Sequence, residues 1–401
     1  MIGEDGRNYP MKILFVTESY APAGGAERYV LELQSLLEAQ AYESAVIYHS
    51  THPRMLATKG KPIYHIPLNE KSSSTRPRIT DIIQAEKPTL IYFHTVNDSS
   101  LVTEASQLAP TIAYVHNFQP VCPALAKYFR IGDNICTRPF GLGCLPAIYL
   151  RRCAHARHPR SVYQIMQNTR NLIITFRSFQ HVVVASSYMR QLMVQQGFDP
   201  YHITVLPPHF EKSHPLKPPE INPPIVLFVG RVEIEKGLPY LLQAMTQVQT
   251  PFRLLIAGDG TRRPEYEALA QQYQLGERVQ FLGWLDEHKL GEAYTKASLL
   301  VMPGIWPEPF GKVGIEALSR GRPVVAFNGG GISDWLQDGW NGFLVPPKDT
   351  ESLARRIETL LDDPDLATQL GVNGRQFVQK TYTTEQHLEK FLSICQQVLS
   401  S

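Results

Sequence analysis

The chain has 401 residues, of which 43% are hydrophobic and 19% charged. That is too long for one ordinary core, suits two domains, and excludes an intrinsically disordered chain. The net charge of +2 argues against bulk nucleic-acid binding, and no run reaches the roughly 18 apolar residues of a membrane-spanning helix.

Residues 1–10, MIGEDGRNYP, carry neither an apolar core nor a cleavage pattern. No secretory signal is read there, and the segment is set outside the fold as an extension or tag remnant. The cytoplasm is the default location. From Met11 onward, short apolar runs alternate with amphipathic helical patterns. Strands are expected at 12–17, 44–48, 90–94, 111–116, 182–186 and 203–206, and a helix at 27–39 follows the first of them. Residues 207–224, PPHFEKSHPLKPPEINPP, are dense in proline and without periodicity, and read as a linker. The alternation restarts at 225–231, 252–258, 279–283, 299–303, 323–327 and 343–345, and the end from about Thr350 to Leu399 is helical in pattern.

The fold class is therefore α/β: two tandem Rossmann-like, doubly wound parallel-sheet domains. The expected boundaries are 11–206 for the first domain, with a Cys- and Arg-rich insertion at about 120–160, and 225–381 for the second. Residues 382–401 are expected to form a helix packing back on the first domain. Ligands in open parallel sheets sit beyond the carboxyl ends of the strands, so a ligand is expected in a cleft between the domains.

Several motifs fall at such strand ends. Gly24 and Gly25 follow the first strand and precede a helix, where glycines let backbone N–H groups approach a ligand; a plain turn is the alternative. No G-x-G-x-x-G fingerprint accompanies them, which speaks against a dinucleotide. His116, in YVHN, ends a strand, and a histidine satisfied by hydrogen bonds remains open there. In FVGRVEIEKGL, Arg231 and Lys236 lie at a strand end and a helix start, placed to bracket a diphosphate. In WPEPFGKVGIE, Pro309 and Gly311 disfavour a continuous helix, leaving Glu308 on a loop and Glu316 about a turn inside the next helix. Between them the N–H groups of Lys312, Val313 and Gly314 are expected to be free and to cradle an anion. The one Asp-x-Asp match, Asp363-Pro364-Asp365, reads as a helix cap rather than a metal site.

Residues 127–177 carry nine arginines and lysines against a single acid, Asp133, interleaved with aromatics. A solvated face and a surface for an anionic acceptor or anionic lipid, centred on Arg151, Arg152, Arg157 and Arg160, both fit that composition; nucleic acid does not, for want of a motif. Cys122, Cys136, Cys144 and Cys153 cluster in the same region, without C-x2-C spacing. Structural zinc, disulfides and buried thiols stay open.

Taken together, GGAE, FVGRVEIEKG, IAGDG, FLGW and EPFGKVGIEALSRGRPVVA, in this order and spacing, resemble the retaining GT-B glycosyltransferases called glycosyltransferase family 4, over nearly the whole chain from Met11 to about Tyr382. The resemblance implies that Arg231 and Lys236 hold a donor diphosphate and Glu316 the nucleotide ribose. It places Glu308 and the Phe310, Gly311 and Lys312 backbone at the transferred sugar, the Gly24-Gly25 loop over the phosphates, and His116 near the sugar. It also raises the chance of zinc or a disulfide on the cysteines, which some members carry after the same histidine. This chain departs from the family at Asn117, where Asp is common, at Ser333-Asp334 in the Gly-Gly turn, and at Lys312, usually apolar.

The expected activity is transfer of a hexose-type sugar from a nucleoside diphosphate to an acceptor hydroxyl, with retention and no metal or other cofactor for catalysis. The acceptor is unidentified, with an anionic or lipid-linked one and peripheral contact with the cytoplasmic membrane face in view. A sugar-nucleotide epimerase or phosphorylase on the same fold, and a non-catalytic sugar-nucleotide-binding protein, are the alternatives.

Overall fold

The computed structural model describes residues 11–21, 25–52, 56, 62–67, 78–96, 98–210, 219 and 222–400. Most of the proline-rich stretch, residues 1–10 and Gly24 lie outside that set. By its contacts the chain divides into two compact units.

The first unit is a seven-stranded sheet of β1 (Lys12–Thr17), β2 (Glu43–Tyr48), β3 (Ile63–His65), β4 (Leu90–Phe93), β5 (Thr111–Val115), β8 (His181–Val184) and β9 (Ile203–Val205) in the order β3-β2-β1-β4-β5-β8-β9, every pair parallel. The strands between these in sequence, β6 (Tyr128–Phe129) and β7 (Asn134–Ile135), form a small antiparallel hairpin. Strands β4, β5 and β8 are buried at every position, as a parallel sheet covered on both faces requires. The C-terminal helix Thr384–Ser400 belongs to this unit from Glu385 onward. It buries His387, Leu388, Phe391, Ile394, Cys395 and Val398, the helical spacing of a core-facing stripe.

The second unit is a six-stranded parallel sheet of β10 (Ile225–Val229), β11 (Arg253–Ala257), β12 (Val279–Gly283), β13 (Leu299–Met302), β14 (Val324–Phe327) and β15 (Gly342–Val345), in the order β12-β11-β10-β13-β14-β15. Its core joins Val226, Phe228, Leu241, Leu254, Val301, Val325 and Ile357. Each sheet reverses order beside its first strand, the switch point where α/β sheets bind ligands. The fold class is thus two doubly wound parallel-sheet units.

Residues Ala126–Thr137 group with the second unit although their neighbours in sequence belong to the first. The reason is packing: Tyr128 is buried in the second unit's core, and Asp133 accepts a hydrogen bond from Tyr240 Oη at 2.9 Å as well as one from Tyr128 Oη. Lys348 Nζ donates to Gly132 O at 2.9 Å from the end of β15. The insertion is therefore not one continuous basic face. Lys127, one of the nine cations of residues 127–177, is 2% exposed.

Candidate active site

In the second unit, β10 runs out at Val229, and the short turn Ile234–Lys236 leads through Gly237 into the helix Leu238–Met245. Gly237 has φ +69°, and a Cβ there would stand 1.8 Å from Pro303 O at the end of β13. Only glycine lets this helix start come so close to the end of β13, and the approach delivers Lys236 to the loop after β13. Lys236 Nζ forms an ion pair with Glu308 Oε1, which also accepts from Trp306 Nε1 at 2.9 Å. The ammonium lies 4.8 Å from the Trp306 ring centroid, so an aromatic face supplements the carboxylate. Glu308 is 8% exposed, and a charge so buried needs such partners. Arg231 is mostly exposed and is held by Glu235, Nη2 to Oε1 at 2.8 Å.

The Glu308 backbone is tied to the glycine loop after β14: Gly331 N donates to Glu308 O at 2.7 Å. Gly330, at φ +72°, could not carry a Cβ, which would fall 2.2 Å from that same oxygen. Beyond the loop, Gly311 caps the helix Lys312–Ser319, and Phe310 is buried with its carbonyl taken by Trp335 Nε1 at 2.6 Å. One expectation is corrected here. Gly314 N donates to Gly311 O at 2.9 Å, so that amide is not free for an anion. Lys312 lies over the Phe210 ring, 5.6 Å from its centroid. Glu316 sits inside the helix as expected, fixed by Tyr294 Oη on its Oε2 at 2.9 Å. Burial first, and then the Glu316 carboxylate, pushes the Tyr294 phenol well above its ordinary value and keeps it a donor.

In the first unit, Gly25 opens the helix Gly25–Ala39 and is exposed, with open space where a Cβ would stand. His116 follows β5, stacked on Tyr114 at 4.3 Å, with His94 Nδ1 2.9 Å from its Nε2. Burial pushes the His116 imidazole down to about 3. Asn117 Oδ1 accepts from Gln119 N at 2.8 Å, a local turn.

A further expectation changes. None of the four clustered cysteines is joined in a disulfide, and no group of three metal-binding side chains occurs among the described residues, so zinc is not supported. Cys136 lies in the segment grouped with the second unit, apart from Cys122, Cys144 and Cys153 in the first. Arg157 is not simply a surface cation: its Nη1 donates to Ile148 O, Ala154 O and Ala156 O at 2.5–3.1 Å, closing the turn after the helix Cys144–Leu150. Arg157 is nonetheless exposed, as are Arg151, Arg152 and Arg160. Asp363 behaves as expected, accepting from Leu366 N at 2.9 Å with Pro364 at the first helical position. Sequence reasoning missed Trp306, Tyr294 and His94 as partners of the site residues, because each acts through a contact set by the fold rather than by a local motif.

A family model for glycosyl transferases group 1 matches residues 210–377, and one for glycosyltransferase family 4 matches residues 23–211. The chain is a GT-B protein resembling glycosyltransferase family 4. An alpha-D-kanosaminyltransferase of Streptomyces kanamyceticus is 34% identical over 163 residues, 40% of this chain and 42% of that protein, so the chain spans less than half the length of this curated relative. Among solved structures, sucrose-phosphate synthase of Thermosynechococcus elongatus is 25% identical, with a TM-score of 0.70, covering 97% of this chain and 99% of that one. The HepE protein of Anabaena in complex with UDP shares the GT-B fold, with a TM-score of 0.70 at 20% identity, over 96% of this chain and 100% of that one.

Proposed function

We propose that this protein is a retaining glycosyltransferase moving a hexosyl unit from a nucleoside diphosphate to an acceptor hydroxyl without a metal. The observation that carries this reading is the ion pair of Lys236 with the buried Glu308 beside Trp306, at the switch point of the second sheet. An ammonium has three donors. With one spent on Glu308, Lys236 keeps N–H groups for a diphosphate oxygen. Arg231 adds a fork at the same strand end. Glu316, anchored by Tyr294, suits ribose hydroxyls, while Glu308 and the backbone from Phe310 to Lys312 suit the hexose. The Gly24-Gly25 turn is assigned to the phosphates and His116 to the sugar. UDP in a protein of the same fold supports a nucleoside diphosphate ligand. The names of the relatives favour transfer over epimerisation, phosphorolysis or binding alone.

In the reaction, the sugar C1–O bond breaks and its electron pair leaves with the diphosphate, whose charge Arg231 and Lys236 neutralise. The acceptor oxygen bonds to C1 from the same face, and its proton passes to the departing phosphate oxygen. Glu308 positions hydroxyls and stabilises positive charge growing on the sugar ring. The test is donor turnover in the presence of EDTA, together with thermal-shift measurements on UDP, GDP, ADP and their sugar conjugates. Arg231→Ala and Lys236→Ala should each cost roughly 2–4 kcal/mol of transition-state stabilisation. Folded variants with donor affinity and turnover unchanged would remove the diphosphate assignment, and loss of activity in EDTA restored by Mg²⁺ would remove the metal-free one.

The acceptor is assigned to the first unit, and we read it as anionic or lipid-linked. Leu150, 72% exposed, directly precedes Arg151 and Arg152 in the chain, and Leu142, in the same segment, is 83% exposed. Apolar side chains flanked by arginines suit an anionic lipid interface. Among the described residues no helix is long and apolar enough to cross a membrane, so contact would be peripheral. Vesicles containing anionic lipid should bind the protein, and binding should fall with salt. Replacing Arg151, Arg152 and Arg160 by Gln should weaken it while nucleotide affinity stays intact. Unchanged vesicle binding by that triple variant would leave a solvated face.

A further inference from the structure

His94 follows β4 as His116 follows β5, and the two imidazoles meet through a single hydrogen bond, His94 Nδ1 to His116 Nε2 at 2.9 Å. Two neutral rings joined this way have two arrangements. Either His94 donates from Nδ1 and His116 carries its proton on Nδ1, or His116 donates from Nε2 and its Nδ1 is a bare acceptor. The far side of His94 discriminates between them. The ring is 4% exposed and walled by Phe15, Tyr29, Tyr92 and Tyr114. Its Nε2 is buried with no hydrogen-bond partner among the described residues. A buried N–H without an acceptor is rarer and more costly than a lone pair without a donor. The arrangement that leaves only a lone pair at Nε2 is the first.

We propose that His94 is a positioning residue that fixes His116 as a neutral imidazole protonated on Nδ1, so that His116 offers a substrate oxygen a hydrogen-bond donor and not a base. The proposal rests on the reading that His116 faces the sugar or the departing phosphate. Such an oxygen, whether a sugar hydroxyl or an anionic phosphate oxygen, is an acceptor, and a neutral donor serves it without a proton changing owner. Burial holds both rings well below the ordinary histidine value, and the neighbouring His116 lowers His94 further. The wall around His94 supplies aromatic rings rather than carboxylates. Tyr29, the nearest hydroxyl-bearing neighbour on the helix Gly25–Ala39, is engaged with His387 Nε2 at 2.9 Å.

The test reads the tautomer directly and separately from activity. Nitrogen-15 spectra of histidine-labelled full-length protein near neutral pH, assigned with His94→Asn and His116→Ala, should show the His116 proton on Nδ1. His94→Phe, which keeps the ring's bulk but removes the donor, should shift that signal toward protonated Nε2 or a mixture. It should also lower kcat on the order of tenfold or more, with a smaller effect on affinity for the free nucleoside diphosphate, because Arg231, Lys236 and Glu316 belong to the second unit. His94→Asn, whose amide can donate near the place of Nδ1, should recover most of the loss. A wild-type His116 protonated on Nε2, or kcat unchanged in folded His94→Phe, overturns the proposal. If the tautomer is as stated but His116→Ala transfers sugar normally, the substrate contact fails and the part of the proposal that gives His116 a donor role fails with it, while the transfer reading of the second unit stands.

Discussion

Glu308 and Glu316 are eight positions apart, yet their surroundings assign them different work. Glu308 is buried against a lysine, an indole and a glycine loop. Glu316 is half-buried about a turn into its helix and held there by one tyrosine. Removing Glu316 should therefore weaken binding of the free nucleoside diphosphate whatever sugar it carries. Removing Glu308 should chiefly impair transfer and leave the Lys236 charge unpaired for the phosphates. Calorimetry with the free diphosphate separates the two, and an equal loss of affinity in Glu308→Ala and Glu316→Ala would show the roles wrongly divided. A packing prediction belongs to the same helix. A Cβ on Gly314 would lie 2.0 Å from Trp335 Cη2, and Trp335 is fully buried with its Nε1 committed to Phe310 O. Gly314→Ala should cost about 1–3 kcal/mol by overpacking, seen as a lower denaturation midpoint. A midpoint equal to the parent's would mean that the indole yields more readily than its buried hydrogen bond implies.

At the level of elements, legibility followed hydrophobic period. The long strands announced themselves because a strand covered on both faces is apolar throughout, as in LIYF and LLVM. Most expected strands ran one or two residues too far at the carboxyl end, where His94, His116 and Arg231 leave the sheet. The cap at Asp363 was readable because side-chain capping is local chemistry. The edge strand Ile63–His65 and the hairpin of Tyr128–Phe129 with Asn134–Ile135 were not, since two or three residues carry no period. What holds that hairpin is long-range: Tyr240 and Lys348 reach it from more than a hundred residues away in sequence. The site shows the same division. Lys236, Glu308 and Glu316 were visible as charged residues at strand and helix ends, whereas Trp306, Tyr294 and His94 became visible only as contacts.

For the molecule as a whole, buried histidines set its response to acid. Burial is the leading cause in each: His49 and His94 are lowered, His116 falls to about 3, and His181 and His209 to about 4. In the unfolded chain these groups titrate near the ordinary 6.5. Between that value and the folded ones, the unfolded state binds more protons than the native state, so stability falls as pH falls. The contribution is fully present above about 6.5 and is lost progressively toward pH 4 and 3, at about 1.4 kcal/mol per pH unit for each group acting alone. His94 and His116 share a hydrogen bond, so their losses are coupled and do not add in full. Thermal midpoints should accordingly hold steady above neutrality and drop steeply from pH 6 to 4.5. His181→Gln offers a control. Its amide can replace the Nε2 contact to Thr204 Oγ1, now 2.8 Å, without an ionisable ring. The variant should lose less stability across that window, by about one histidine's share, and a midpoint in the parent that stays flat down to pH 4.5 would show that the imidazoles protonate in place without unfolding the chain.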